Sequence, residues 1–493
     1  MTLHIAANTG CNLGCTYCYE EPDRVMKQKQ IDNEYDIDAI MARLEEWKET
    51  KPWEPPGMHG GEPLLLRKEH LDQIFAYCYE NWDEKRTHIQ TNATLIDDDH
   101  IELFKKYNVS VGISCDGPIE LNRERLARGG GKDVTDHMSA RTLSAIERLA
   151  DEGVPVGLIV VLHDGNAGND EKLEKLLAQM DKWNAMGIYG HYNPAIPYED
   201  VQTDISLTGE RLAEVYLRTW EWMMEPGQDY RSWNPMRDFQ NNLLGTSLRN
   251  CIVNTCDVYN AGAAQIIKGD GEQTGCGKTW AAVGDGVPFL QGESTDNRYN
   301  DPDEQERYEM LKQVPGACDP EYDGPDLGGL RGCRYWAVDQ GGCPSAGIDG
   351  DYRNRSTFHE AHHALYERIE GDMRRMFPAI RLMTDLPWDA PVSDLAASKQ
   401  VDIKPFVNMQ HGNGGEPNVF RGTAEVEPPF SIITNMDMPF EARQKLYEDY
   451  YGEEIVTADP ATGSIHADSD VARLQPRADD DGKAGCCGDE CDC

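Results

Sequence analysis

The chain has 493 residues, 39% of them hydrophobic, and carries 87 Asp and Glu against 47 Lys and Arg, a formal net charge of −40. That length suits two or three domains and excludes a small disulfide-stapled scaffold. The charge excludes a nucleic acid or an anionic membrane as partner, because phosphate binding needs basic clusters and the sequence shows none.

Ten Trp and 21 Tyr provide apolar surface for real cores, so the acidity belongs to a folded surface rather than to a disordered chain. A surface so acidic repels itself until concentrated counter-ions screen it, which predicts a halophilic protein. Residues 1–7 hold no basic stretch leading into an apolar segment, and no run approaches about 18 apolar residues. The expectation is a soluble, cytoplasmic protein. Fifteen cysteines in such a reducing compartment point to metal rather than to disulfides.

In chain order, six short β-rich runs are predicted at 3–7, 57–59, 87–90, 110–114, 156–162 and 188–192. Helical patterns at 38–48, 68–79, 100–107, 136–152 and 171–184 separate them, with apolar residues recurring at three and four. The fold class is therefore α/β, and right-handed crossovers would curl it into a partial (β/α)6 TIM-like barrel. In such barrels the chemistry sits on the loops after the strands. Residues 1–205 form this core, and a helical linker fills 206–250. A cysteine-rich α+β auxiliary-cluster domain is expected at 251–365, then an α+β extension at 366–456 with a helix near 439–451. An acidic, cysteine-terminated flexible tail occupies 457–493.

After the first strand stand Cys11, Cys15 and Cys18, spaced CxxxCxxC in a glycine-bearing loop. Three thiolates can hold three irons of a cubane, and the missing fourth ligand leaves one iron open. Tyr17 precedes the last cysteine, Gly60-Gly61-Glu62-Pro63 follows the second strand, and Gln90-Thr91-Asn92-Ala93-Thr94 follows the third. Ser114-Cys115-Asp116-Gly117-Pro118 follows the fourth.

In this order the motifs resemble those of the radical S-adenosylmethionine (SAM) enzymes, over about residues 1–205. The resemblance implies an enzyme with a 4Fe–4S cluster on the three cysteines, whose open iron binds the amino and carboxylate groups of SAM. One electron would then cleave SAM to methionine and a 5′-deoxyadenosyl radical that takes a substrate hydrogen. It also implies that Tyr17, Gly60, Gly61, Glu62, Pro63, Thr91, Asn92, Ser114 and Asp116 bind the cofactor. Glu62 would meet the methionyl ammonium, and the turn holding Ser114 and Asp116 would lie near the ribose.

Cys251, Cys256, Gly271 and Cys276 then match the opening of the SPASM domain, the auxiliary-cluster module of peptide-modifying maturases. Its later C-x2-C-x5-C-x3-C pattern falls on Leu330, Cys333, Asp339 and Cys343, so one cysteine has become leucine and another aspartate. The resemblance implies one or two auxiliary iron–sulfur clusters. The first would use Cys251, Cys256, Cys276 and Cys343, and the second Cys318, Cys333, Asp339 and a histidine, His359 or His362. It further implies a peptide or protein substrate and a low-potential electron donor such as ferredoxin or flavodoxin.

Other readings stay open. A tetrapyrrole substrate of haem biosynthesis fits the same architecture. His359-Glu360-Ala361-His362-His363 matches HExxH, which on a helix places two zinc ligands on one face beside a glutamate base, as in a metallopeptidase. A non-catalytic iron–sulfur electron carrier is the third. Cys486, Cys487, Cys491 and Cys493 in the tail could bind metal or relay electrons. Cys78 is expected in the core and Cys115 at the barrel mouth.

Overall fold

The structure, a computed structural model, describes residues 3–18, 35–50, 55–83, 85–196, 205–225, 232–244, 265–274, 333–339, 341–343, 346–348, 354–376, 380, 382–385, 410–411, 417–418, 456–459 and 464–467. All six expected strands form: β1 Leu3–Ala6, β2 Gly57–Met58, β3 Thr87–Thr91, β4 Val109–Ser114, β5 Val156–Leu162 and β6 Tyr189–Pro194. Between them run α1 Ile37–Thr50, α2 Lys68–Asn81, α3 Asp98–Lys106, α4 Lys132–Asp151, the short α5 Asp164–Ala167, and α6 Asp170–Ala185. Each strand pairs in parallel with the next.

The sheet holds two strands more than the six expected. A seventh strand, β7 Gln265–Lys268, pairs in parallel with β1, and β8 Gln273–Thr274 folds back against it. This strand comes from the segment assigned above to the auxiliary domain, so the barrel sheet reaches past residue 205. Gly271 is the turn of that hairpin, at φ +80°, where a side chain would crowd Ala39 of α1.

The sequence forms these elements for identifiable reasons. Alternate residues of β1 and β4 are buried, with Leu3, Ile5, Val109, Val111 and Ile113 fully enclosed under the helices. Asp97 caps α3 by accepting from the His100 N–H at 3.1 Å, and Lys105 and Lys106 end that helix, which complements its dipole. Cys78 is fully buried in α2, as expected. Cys115 departs from expectation, because it is buried beneath the barrel mouth and donates to the Gly117 carbonyl at 3.4 Å.

The opposite faces of the same strands turn into the barrel. There His4 lies edge-on to His59 and to His88, with ring centroids 5.6 and 5.8 Å apart. Gln90 donates to Ser114 at 3.0 Å. This interior is polar and half-buried where a closed TIM barrel would be packed with branched apolar residues.

Beyond the sheet come α7 Gly209–Met223, α8 Met236–Leu243, α9 Trp336–Asp339 and α10 His359–Met376. Helix α10 packs on α7 and α8 through a Trp220 Nε1 donation to Asp372 at 2.7 Å and an Asn242 donation to the Tyr366 hydroxyl at 2.8 Å. Two small antiparallel pairs follow, Gln410–His411 with Pro417–Asn418 and Val456–Asp459 with Ser464–Ala467. The expected helix near 439–451 and the cysteines of the tail lie outside the described residues. No helix among the described residues is long and apolar enough to cross a membrane.

Two predictions follow from the packing. Gly57 leaves room for the His88 imidazole, which an added Cβ would overlap. Gly57→Ala should cost about 1–3 kcal/mol in urea denaturation, as overpacked cores do, and adding His88→Ala should recover most of the loss. The second concerns Glu370 of α10, 4% exposed, which accepts from Arg334 at 2.6 Å and Arg374 at 2.8 Å. Burial alone would raise its pKa, but Arg334, Arg374 and Tyr335 outweigh it and hold the carboxyl at about 2. A lowered carboxyl pKa adds stability above its unfolded value of about 4.3 and loses it on acidification. Glu370→Gln should therefore flatten the fall in stability between pH 4 and pH 2.

Candidate active site

The loop after β1 has little regular structure of its own, and neighbours on two sides hold it. On one side the Gly61 N–H donates to the Asn8 carbonyl at 2.9 Å and the Glu62 N–H to the Gly10 carbonyl at 2.8 Å. Gly60 sits at φ +118°, and a Cβ on Gly61 would overlap the backbone of Thr9 and Gly10. On the other side Leu13 bridges Ala127 antiparallel, with Gly14 and Thr16 donating to the Leu126 and Glu124 carbonyls at 2.8 and 3.0 Å.

So held, the loop turns Cys11, Cys15 and Cys18 to one cavity, which encloses about 980 Å³ of empty space counted out to its open mouth. Tyr17, Gly60, Gly61, Glu62, Thr91, Asn92 and Ser114 line it too. Of the expected cofactor-binding residues, Pro63 and Asp116 are not on its wall. Pro63 opens the short 3-10 turn Pro63–Leu65, and Asp116 is buried behind Tyr17.

Cys11 Sγ accepts from the Leu13 N–H at 3.4 Å and from Asn92 Nδ2 at 3.7 Å. Burial and the neighbouring thiols push the Cys15 thiol up to about 12, against the pull of Arg125. Among the described residues no three His, Cys, Asp or Glu side chains gather round one point that could hold a single ion. A cubane does not need that, because each iron takes one thiolate. Donors to sulfur, three separated thiols and a buried cation beside them make a donor set that fits a cluster.

Glu62 closes the side facing β3. Its Oε1 accepts from the Leu64 N–H at 3.0 Å and the Thr91 hydroxyl at 2.6 Å, and its Oε2 from the Asn92 N–H at 2.8 Å. Burial raises its pKa in spite of these donors. Asn92 continues the network to Asn12 Oδ1 at 2.8 Å, and Asn12 donates to the Thr94 hydroxyl, also at 2.8 Å. Ala93 holds φ +62°, the left-handed conformation that favours glycine.

Two residues of the site were not singled out in the sequence. Arg125, 7% exposed, donates to the Tyr17 hydroxyl at 2.9 Å and lines the cavity. His163, wholly buried, stacks on Tyr17 with centroids 5.5 Å apart. Arg125 hides in the charged run 122–128 that reads as surface, and His163 ends an apolar strand with no motif around it. Arg125 is the one Lys or Arg, and Glu62 the one Asp or Glu, among the described residues lining the cavity.

Of the expected auxiliary ligands, Cys251, Cys256, Cys276 and Cys318 lie outside the described residues. Cys333 and Cys343 are buried. Asp339, 2% exposed, holds His359 Nδ1 at 2.9 Å on one oxygen and His362 Nδ1 at 3.1 Å on the other. Burial would raise its pKa, but the two histidines hold the carboxyl far below its ordinary range. The HExxH residues are used separately: His359 bonds Asp339, Glu360 pairs with Arg355 at 2.9 Å, and His363 packs edge-on to Tyr335 at 4.7 Å. They do not assemble a zinc site.

The three donors on Glu62 make it a test of the network. In Glu62→Gln the amide nitrogen must face an N–H or hydroxyl donor in a buried place, a loss of about 1–3 kcal/mol. Urea denaturation of the metal-free chain measures it.

A family model described as the Radical SAM superfamily matches residues 5–179. The chain is 32% identical over 169 residues to an uncharacterised protein of Methanocaldococcus jannaschii, covering 34% of this chain and 54% of that one. It is 30% identical over 174 residues to the serine-type anaerobic sulfatase-maturating enzyme of Bacteroides thetaiotaomicron, covering 32% and 38%. To the cysteine-type anaerobic sulfatase-maturating enzyme of Clostridium perfringens it is 26% identical over 186 residues, covering 36% and 47%. The chain thus spans about half or less of the length of these relatives. The solved structure of native anSMEcpe with bound AdoMet superposes with a TM-score of 0.58 at 16% identity, covering 77% of this chain and 99% of that one, which shows a shared fold. Residues 5–179 are a Radical SAM superfamily domain.

Proposed function

We propose that the chain is a radical SAM enzyme with a 4Fe–4S cluster on Cys11, Cys15 and Cys18 and SAM in the adjoining cavity, acting on a peptide or protein. One observation carries this reading: three thiols share a cavity wall with a single carboxylate, Glu62, and a single guanidinium, Arg125. The amino-acid end of SAM is a zwitterion, and that pair complements it. Oε2 of Glu62 has one internal donor against two on Oε1, so it keeps acceptor capacity for an ammonium. Arg125 offers its remaining donors to a carboxylate.

When bound, such a cluster with SAM supplies one-electron chemistry that ends in removal of a substrate hydrogen atom. The chain contributes position and exclusion. Gly60 and Gly61 let the backbone come close, Asn92 donates to the Cys11 sulfur, and Ile159 and Val161 make part of the wall apolar.

The peptide assignment is supported by the relatives named as sulfatase-maturating enzymes and by a solved structure of the same fold described with AdoMet and a Cp18Cys peptide. A tetrapyrrole substrate is the reading it competes with. Within the proposal, Cys251, Cys256, Cys276 and Cys343 hold an auxiliary cluster. A second would take Cys318, Cys333, Asp339 and His359, where Asp339 already orients His359 through Nδ1. The charge of −40 is read as adaptation to a salty cytoplasm, and a ferredoxin or flavodoxin as the electron source.

The test is anaerobic. Dithionite-reduced wild type should release 5′-deoxyadenosine from SAM, and Cys11→Ala/Cys15→Ala/Cys18→Ala should release none while keeping auxiliary iron. An iron-replete wild type that releases none would leave the electron carrier as the better reading. Arg125→Leu should weaken SAM binding about tenfold or more, the loss expected when a buried charge-assisted bond is removed, measured by equilibrium dialysis.

A further inference from the structure

Asp116 stands where the motif resemblance places a contact to the ribose of SAM, yet its carboxylate is wholly buried and both oxygens face partners within the protein. Tyr17 donates its hydroxyl to Oδ2 at 2.5 Å, and His163 Nε2 lies 3.4 Å from the same oxygen. Oδ1 accepts from the Val161 N–H at 3.0 Å. The Asp116 backbone is fixed as well, its N–H donating to Asn122 Oδ1 at 2.8 Å and its carbonyl accepting from Asn166 at 3.1 Å. What separates Asp116 from the cavity is Tyr17, whose ring rests on His163 and whose oxygen also accepts from Arg125.

Tyr17 forms, with Thr16, the turn between Cys15 and Cys18. One phenol therefore joins a buried carboxylate and a buried guanidinium, and it belongs to the backbone that carries two of the three thiols. A side chain needed for the ribose would have an oxygen open to the cavity. Asp116 has none, and every donor it takes comes from the loop or from the strands and turns behind it.

We propose that Asp116 is a positioning residue which acts through Tyr17. It holds the Cys15–Cys18 segment in place and, together with Arg125, sets the charge next to the cluster, and it makes no contact with SAM. This rests on the function proposed above. Outer partners of this kind fix ligand orientation and tune the metal without touching it. A fixed negative charge in a buried site disfavours an added electron, so its removal eases reduction.

The experiment uses the reconstituted holoenzyme in Asp116→Asn, Tyr17→Phe, the double variant and Ser114→Ala. Iron content, electron paramagnetic resonance of the reduced cluster, its midpoint potential and SAM affinity are read for each. Asp116→Asn should raise the potential and change the spectrum of the reduced cluster, with SAM affinity within about threefold of wild type, under 1 kcal/mol. Tyr17→Phe should change the spectrum in the same way, and the double variant should add little to either single change, as expected of residues acting in series. Ser114→Ala, on the cavity wall, should move SAM affinity and leave the potential alone.

SAM affinity weakened about tenfold or more in Asp116→Asn, with potential and spectrum unchanged, would overturn the proposal and restore the ribose contact. If Asp116→Asn does not fold, Tyr17→Phe decides the same question. A wild type that takes up no iron at the three cysteines would defeat the function instead. In that case alkylation of Cys15 and Cys18 in the metal-free chain, about tenfold faster in Tyr17→Phe than in wild type, would still show the loop held by this network, and unchanged rates would refute it.

Discussion

The close approach of two backbones, at Gly60–Gly61 and at Asn8–Gly10, is the constraint on which the site depends. The loop carrying the three thiols draws its order from main-chain bonds to neighbours, and the side chains of Asn12, Thr16 and Tyr17 add bonds of their own. The Gly61 and Glu62 amides supply one set, and the segment from Glu124 to Arg128 supplies the other. With those in place Glu62 can tie its own loop to the end of β3, and the cavity wall closes round the thiols. Any side chain at Gly61 breaks the first of these contacts and loosens the rest.

Electrostatics divides the molecule in two. The surface repels itself, while the cavity holds one acid, Glu62, and one base, Arg125, and Tyr17 joins that same base to a second acid, Asp116, buried behind it. Burial works against the Asp116 carboxylate, but His163, Arg125 and Tyr17 hold it below the ordinary range. The same logic recurs at Asp339, where two histidines share one buried carboxylate. There it ties α9 to α10, and it uses the residues that a zinc or cluster reading would need.

Much of this was legible in the sequence, because period-two burial and helical spacing are local signals. Leu3 and Ile5, or Val109 to Ile113, announce their strands without help from the rest of the chain. Strand β7 was not legible: four residues, Gln-Ile-Ile-Lys, inside a cysteine-spaced segment, become a strand only because β1 offers an edge. Motif residues were found and their neighbours were not, since a spacing names the side chains at a site but not which of them face it. Thus Asp116 was read as a cavity residue and lies behind one, while Arg125, which no motif marks, is the buried cation of the site.

The measurement that tests the central claim most directly is electron–nuclear double resonance on the reduced protein with SAM isotopically labelled in its carboxylate and amino groups. Hyperfine coupling of both labels to the cluster, abolished by replacing Cys11, Cys15 and Cys18 with alanine, is the predicted result. A reduced cluster with no coupling to either label would contradict the account, because the open iron and the Glu62–Arg125 pair would then serve no bound SAM.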